Sequence, residues 1–313
     1  MLMHTQGPDL VVRAPAKVNL TLEILGRRPD GYHELRSILM PIGLWDELAF
    51  WRNGDGRVET VVEAEGGVSL EELGTSESNL ATRAARLLQE ACGARQGAVV
   101  RVRKRIPVGG GLGGGSADAA ATLVGLNALW RLGLPREALT ALGARLGCDI
   151  PALVRGGAVV MEGRGERLCP VGPPCGGAAG RFWLVVANPG IACPTGEIYG
   201  RHNGGLTVHP DIFHNALLSI RAGDVVATSR FLYNGLQPVV FEHYPATRDV
   251  ATRLRGAGAL CVLLSGSGAS VFALVRDREH GEAVRGRLGG GWWSAVTTTL
   301  PDGVMAAHGP LEP

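Results

Sequence analysis

The sequence predicts an α+β chain in two domains, and three observations carry that prediction. Segments with apolar residues at every second position are interleaved with segments whose apolar residues recur every three or four. Residues 170–180, PVGPPCGGAAG, hold three prolines and four glycines in eleven positions and read as a linker. Hydrophobic residues make up 45% of the 313 and charged residues 19%, enough apolar material for one large core or two ordinary ones. The expected domains are residues 1–175 and 176–313, with no internal repeat between them.

The elements follow in order. Val18, Leu20, Leu22 and Ile24 alternate with Lys17, Asn19, Thr21 and Glu23, the pattern of a half-buried strand with one polar face. Pro29-Asp30-Gly31 marks a turn. Extended segments follow over 35–42 and 57–64. Leu80, Ala84, Leu87, Leu88 and Ala91 put a helix over 79–92, stopped by Gly93. Ala98, Val100 and Val102 alternate with arginines in a strand that runs into IPVGGGLGGGSADAA, residues 106–120. Beyond it Ala119, Leu123, Leu126 and Trp130 share one helical face, closed by Gly133 and Pro135. A helix over 136–146 stops at Gly147, and a hairpin over 157–168 turns at Gly163-Arg164-Gly165. Past the linker come a strand over 182–187, helices within 211–256, a strand over 260–264 and a second glycine loop. A strand over 271–275, a helix near 279–288 and a strand near 293–299 end the pattern.

Composition narrows the function classes. A net charge of +2 is too weak to argue for nucleic acid or an anionic membrane surface. No run of about 18 apolar residues is present, so no spanning helix is expected. Residues 1–10 carry His4, Gln6 and Asp9 and no apolar stretch, so no signal peptide is expected. The six cysteines, at 92, 148, 169, 175, 193 and 261, form no Cys-x-x-Cys pair and no zinc spacing with histidine. A reduced, cytoplasmic protein is the expectation.

Residues 109–115 contain six glycines and one leucine. A strand, a glycine loop, a serine and a helix in that order make an anion site. The first helical turn leaves its N–H groups unpaired, the helix dipole adds positive character, and glycines allow close approach. Gly109-x-Gly111-x-x-Gly114 fits a dinucleotide loop, but no acidic strand end follows about 20 residues on to hold a ribose. A Walker loop fails as well, because Gly114 is followed by Gly115-Ser116 and no lysine. A bare structural turn capped by Ser116 is the competing reading. Asp118, in the first turn, would repel a phosphate and is expected to point away or to share a magnesium ion.

The other polar positions are ambiguous one by one. Asp149 suits a helix N-cap at least as well as a general base. Lys17 would by default be a solvated lysine, Tyr32-His33 a loop pair, and Thr195 an N-cap. Leu264-Ser265-Gly266-Ser267-Gly268-Ala269-Ser270 is either a turn or a source of backbone amides for a ligand.

Together these segments resemble a family. Pro15-Ala16-Lys17-Val18-Asn19-Leu20, the loop over 107–120 and the loop at 264–269 occur in the order of the galactokinase, homoserine, mevalonate and phosphomevalonate kinase (GHMP) superfamily. GRRPDGYHEL at 26–35, Gly147-Cys148-Asp149-Ile150-Pro151, Val154-Arg155-Gly156, Asn188-Pro189-Gly190 and Pro194-Thr195 resemble the branch that phosphorylates 4-diphosphocytidyl-2-C-methyl-D-erythritol. The resemblance spans roughly residues 11–300. It implies a two-domain GHMP kinase fold, a ribosomal-protein-like N-terminal domain and a ferredoxin-like C-terminal one, with the site in the cleft between them. It implies transfer of the ATP γ-phosphoryl group to the C2 hydroxyl of that substrate, in isoprenoid precursor synthesis.

By resemblance, Asp149 is the general base, and Lys17 orients it and offsets charge. Pro107, Val108, Gly109, Gly110, Gly111, Leu112, Gly113, Gly114, Gly115, Ser116 and Ala117 cradle the ATP phosphates. Asn79 and Lys104 lie near the nucleotide. Tyr32 and His33 recognise cytidine, and Tyr199 is a second stacking aromatic. Asn19, Thr195, Gly266, Ser267 and Gly268 hold the substrate. Mg2+ is the implied metal, with Ser116 as its candidate ligand. The implied partner is the small molecule alone, without nucleic acid or membrane, bound by a monomer or weak homodimer. One departure stands out: Asn234-Gly235-Leu236-Gln237 replaces a stretch that often carries two acidic residues. Rival expectations are another kinase of the superfamily, an RNA-binding protein on the ribosomal-protein-like fold, and a dinucleotide-dependent oxidoreductase.

Overall fold

The computed structural model of the chain describes residues 7–70, 73, 75, 78–172, 180–202, 205–300 and 307–308. Two sheets organise it. The first is built from β1 (Leu10–Arg27), β2 (His33–Asn53), β3 (Val58–Ala64), β4 (Gly97–Lys104), β5 (Val159–Gly163) and β6 (Arg167–Pro170). Its main path runs β1-β2-β4-β3, and the β5–β6 hairpin extends β2 on the far side. Helices α1 (Leu80–Cys92), α2 (Gly114–Leu129), α3 (Arg136–Ala144) and α4 (Ile150–Arg155) cover one face.

The second sheet is antiparallel, in the order β11-β7-β10-β9, from β7 (Trp183–Asn188), β9 (Cys261–Leu264), β10 (Val271–Val275) and β11 (Trp293–Thr298). Between β7 and β9 the chain forms α5 (Thr195–Arg201), α6 (Pro210–Ala222), α7 (Val225–Arg230), the short β8 (Tyr233–Asn234), α8 (Gln237–His243) and α9 (Pro245–Gly256). Helix α10 (Arg278–Leu288) precedes β11, and a final pair of residues, β12 (Ala307–His308), joins β1. The strands and helices expected from periodicity are present. Residues 173–179, most of the expected linker, lie outside the described residues. We propose residues 1–175 and 176–313 as the two domains, because the chain passes there from the first sheet to the second.

Three expectations are corrected. The first strand is not half-buried. Lys17, Asn19, Thr21 and Glu23 on its polar face are all under 5% exposed. Periodicity reports which face is apolar, not what later covers the other. Here Ala16, Val18, Leu20, Ile38 and Met40 pack on Leu184, Val186, Phe272 and Leu274 of the second sheet. The open edge of the strand is paired by β8, parallel at Thr21 and Leu22, and by Thr207, whose hydroxyl accepts from Ile24 N at 2.8 Å, while Glu23 is closed off by Arg36 and by the His209 amide, each at 2.7 Å. Each fully buried aliphatic or Phe side chain contributes about 1.5–3 kcal/mol, so this seam holds the two sheets in fixed register.

The second correction concerns α2, expected to bury one face. Ala117, Ala119, Ala120, Ala121, Thr122, Leu123 and Leu126 are all buried, because small side chains let neighbouring elements close around the helix. The third concerns caps. The cap of α2 is Gly113, with Ser116 already in the first turn. Asp149 and Thr195 stand at the starts of α4 and α5, but neither side chain makes a capping hydrogen bond.

Candidate active site

A cleft of about 1420 Å³ lies between the sheets, lined by both glycine loops and by Lys17, Tyr32, His33, Asp149, Thr195 and Tyr199. Its floor is β1. Backbone irregularities between Pro15 and Lys17 and between Asn19 and Thr21 re-aim the strand there. The Lys17 amide donates to Leu112 O at 2.9 Å, tying the floor to the first loop.

Lys17 Nζ donates to Asn19 Oδ1 at 2.8 Å and pairs with Asp149 Oδ2 at 3.2 Å. Asn19 Nδ2 donates to Ser37 Oγ at 2.8 Å, and Ser37 Oγ donates to Thr21 O at 2.6 Å. The order is therefore Ser37, Asn19, Lys17, Asp149. Both ends of the Asn19 amide are engaged, so Asn19 acts by orienting Lys17. Ser37 was missed in the sequence; its only signal is a lone hydroxyl within the apolar run SILM on a strand facing β1. The Asp149 side chain keeps 25% of its surface exposed toward the cleft, against 5% for Lys17. A buried cation thus holds an accessible carboxylate that has no cap to make.

The glycines of the first loop divide between two jobs. Gly111 has φ 73°, and a Cβ there would lie 2.2 Å from Ser265 O and 2.8 Å from Gly268 O. The first loop is pressed backbone to backbone on the second. Ser265 Oγ donates to Gly111 O at 3.0 Å, and the Ser270 amide to Gly110 O at 3.0 Å. Gly113, at φ 70°, packs on the Lys17 stem, whose Cγ would be 2.9 Å from an added Cβ. Gly114, Gly115 and Ser116 form the first turn of α2, whose N–H groups have no acceptor within the helix; the intrahelical ladder starts with Ala117 N to Gly113 O at 2.8 Å.

Lys104 and Asp118 have a different place from a simple nucleotide contact. Lys104 is 2% exposed, held between the carboxylates of Asp46 and Asp118, the latter at 2.7 Å. Asp118 lines the cleft beside the glycine loop, with its Oδ2 turned to Lys104. Burial, opposed by Lys104 and reinforced by Asp46, pushes the Asp118 carboxyl up to about 7. Burial lowers Lys104, but the Asp118 and Asp46 charges outweigh it, and its ammonium is held above the usual lysine range. Asp46 also accepts from the amides of Arg105 at 2.6 Å and Ile106 at 2.9 Å, so this triad anchors the start of the glycine loop. Asn79 caps α1 by accepting from Ala81 N at 2.8 Å, and lines both the cleft and a side cavity of about 290 Å³. That cavity also carries Thr60 and Thr82, whose buried hydroxyls have no hydrogen-bond partner among the described residues.

At the other end of the cleft, Tyr32 is 52% exposed on the turn between β1 and β2. His33 stacks at 5.2 Å on Tyr199, tilted by 32°. Burial, and then His202 and Arg27, hold the His33 imidazole below its usual range, which leaves it neutral at pH 7. Burial pushes the Tyr199 phenol up, and Asp149 adds to it. Thr195 Oγ1 meets Ser267 Oγ at 2.9 Å across the second loop. Asn234 Nδ2 donates to Leu264 O and Gly266 O at 2.9 and 2.8 Å, and Gln237 Oε1 accepts from Leu264 N at 3.0 Å. The neutral Asn234-Gly235-Leu236-Gln237 stretch therefore braces the second loop with amides.

This geometry has relatives. Residues 79–157 match the model for the GHMP kinases N terminal domain, and residues 216–292 that for the GHMP kinases C terminal domain. A 4-diphosphocytidyl-2-C-methyl-D-erythritol kinase of Symbiobacterium thermophilum is 40% identical over 278 residues, 88% of this chain and 94% of that protein. The chain belongs to this kinase family. A second member, from Pelotomaculum thermopropionicum, is 40% identical over 279 residues, covering 88% of this chain and 92% of its own. The crystal structure of a 4-(cytidine 5'-diphospho)-2C-methyl-D-erythritol kinase superposes with a TM-score of 0.71 at 33% identity, over 92% of this chain and 98% of that one. A homoserine kinase from Cytophaga hutchinsonii has the same TM-score at 18% identity, over 97% and 98%, and shares the fold. The two-domain GHMP kinase fold expected from the sequence is the fold of this chain. No helix among the described residues is long and apolar enough to cross a membrane.

Proposed function

We propose that this chain moves the γ-phosphoryl group of ATP to the C2 hydroxyl of 4-diphosphocytidyl-2-C-methyl-D-erythritol. The observation that carries the reading is Asp149. Its carboxylate is cleft-facing, free of any capping bond and held by buried Lys17. Phosphoryl transfer needs mainly alignment and charge neutralisation. The first turn of α2, with Gly114, Gly115 and Ser116, receives the phosphates on unpaired N–H groups. Asp149 takes the proton of the attacking hydroxyl, and Lys17 orients Asp149 and offsets the charge that builds up during transfer.

The nucleotide base enters the side cavity beside Asn79, where the Thr60 and Thr82 hydroxyls lack partners among the described residues. Cytosine stacks on Tyr32, while neutral His33, backed by Tyr199, reads its edge. Thr195, Gly266 and Ser267 line the substrate end, whereas Gly268, expected among them, does not line the cleft and packs against Leu264 and Val240.

Among the described residues no cluster of three or more His, Cys, Asp or Glu is arranged to hold a metal. Mg2+ needs no such cage, because one protein oxygen and the nucleotide phosphates suffice for it. Ser116 fits that part. Mg2+ bound there would neutralise charge on the phosphates.

We take the acting species to be a monomer or weak homodimer. The described cysteines are free thiols, in keeping with a cytoplasmic place. Incubation with ATP and, in parallel, the cytidyl diphosphate substrate, mevalonate or homoserine tests the reading. Phosphorylation of the cytidyl substrate is expected; transfer to another alcohol and none to it ends the reading.

A further inference from the structure

The reaction as proposed leaves the tip of the β5–β6 hairpin without a part. Yet the guanidinium carbon of Arg164 lies 3.6 Å from the centroid of the Tyr32 ring, well inside cation–π distance. Arg164 Nη1 is 3.8 Å from Asp30 Oδ2, and the other oxygen of Asp30 accepts from Tyr32 N at 3.1 Å. Cys148, one residue from Asp149, lies under the same hairpin tip. The hairpin tip is packed on that loop so closely that a Cβ on Gly165 would lie 2.3 Å from Cys148 O. Glu34 fastens the hairpin to the Tyr32 turn, accepting from Arg167 and Arg28, each at 2.7 Å.

A tyrosine ring on an exposed turn has two faces and free χ angles, and it loses that freedom when a base stacks on it. A guanidinium over one face removes much of the loss beforehand and leaves a single face open. We propose that Arg164 is the positioning residue of the pyrimidine subsite: its guanidinium backs one face of Tyr32 so that cytosine stacks on the other. The proposal rests on the cytidyl reading above.

Steady-state kinetics at saturating ATP test it with Arg164→Ala, Arg164→Lys, Tyr32→Leu and the Arg164→Ala/Tyr32→Leu double variant. Arg164→Ala is expected to raise the KM for the cytidyl substrate roughly twofold to thirtyfold, the span of a cation–π contact. The kcat and the KM for ATP should stay within about twofold, the change a positioning role confined to the pyrimidine end allows. Arg164→Lys, which keeps the cation without the plane, should recover part of the loss. In the Tyr32→Leu background, Arg164→Ala should add nothing. An effect that persists in full in that background overturns the proposal, since Arg164 would then act on a phosphate or on the fold. An unchanged KM in Arg164→Ala overturns it too, while wild-type turnover keeps the cytidyl reading. Failure of the wild-type protein to phosphorylate the cytidyl substrate sinks that reading, and the proposal with it.

Discussion

Alanine at Gly111 and at Gly115 should have opposite effects, although the two glycines are four residues apart in one loop. At Gly111 the backbone is left-handed, φ 73°, and the added Cβ would meet Ser265 O at 2.2 Å and Gly268 O at 2.8 Å. The conformation costs about 1–2 kcal/mol for a residue with a Cβ. Pushing the second loop aside costs about 1–3 kcal/mol more. Gly111→Ala should therefore lose about 2–5 kcal/mol, either as stability or as a loosened cleft. Gly115 is helical, and its Cβ would meet only Leu80 Cδ1, at an ordinary 3.5 Å. Alanine there should add about 0.5–1 kcal/mol of helix stability. Its methyl group nonetheless stands beside the free N–H groups of the first turn, so ATP affinity should fall while the fold gains. Denaturant unfolding and ATP titration on both variants make the comparison. Unimpaired ATP binding by Gly115→Ala refutes the phosphate site at that turn. Wild-type stability of Gly111→Ala refutes the tight loop-to-loop contact.

Asp149→Asn should lower kcat by about 10²–10⁴, the usual range for a lost general base. ATP binding should be nearly unchanged; turnover near the wild-type rate removes Asp149 from that role. His33→Ala should raise the KM of the cytidyl substrate far more than that of ATP, and equal effects on both would contradict base recognition. Asp118 gives a pH test. Its folded carboxyl titrates at about 7, above the unfolded 3.8, so between these values the native state binds the extra proton. This group's stabilisation is present at low pH and is lost as pH rises toward and through about 7. Asp118→Asn should flatten that slope in urea unfolding series between pH 5 and 8, and an unchanged slope would assign it to another group.

Much of the fold was legible because periodicity and glycine punctuation are local properties. The order of strands and helices, the stop of α1 at Gly93 and the strand–glycine loop–helix unit all follow from neighbours in sequence. The site was harder. Lys17 and Asp149 are ordinary in isolation, a strand lysine and a cap-position aspartate. Their 3.2 Å pairing depends on β1 and α4 meeting across the glycine loop. The family resemblance carried both residues; composition and spacing did not. Ser37 and Asp46 were missed because each acts through a residue far along the chain.

From sequence alone came the α+β class, the glycine loop between strand and helix, and the family, all written in short contiguous patterns. Only the tertiary structure decided which glycines press on the second loop, since that depends on a contact between residues over 150 positions apart. It also decided that the polar face of the first strand is a buried floor. A two-residue alternation records the chemistry of a face, whereas burial depends on the partner that covers it. Here that partner is the C-terminal half of the same chain, folded back over β1.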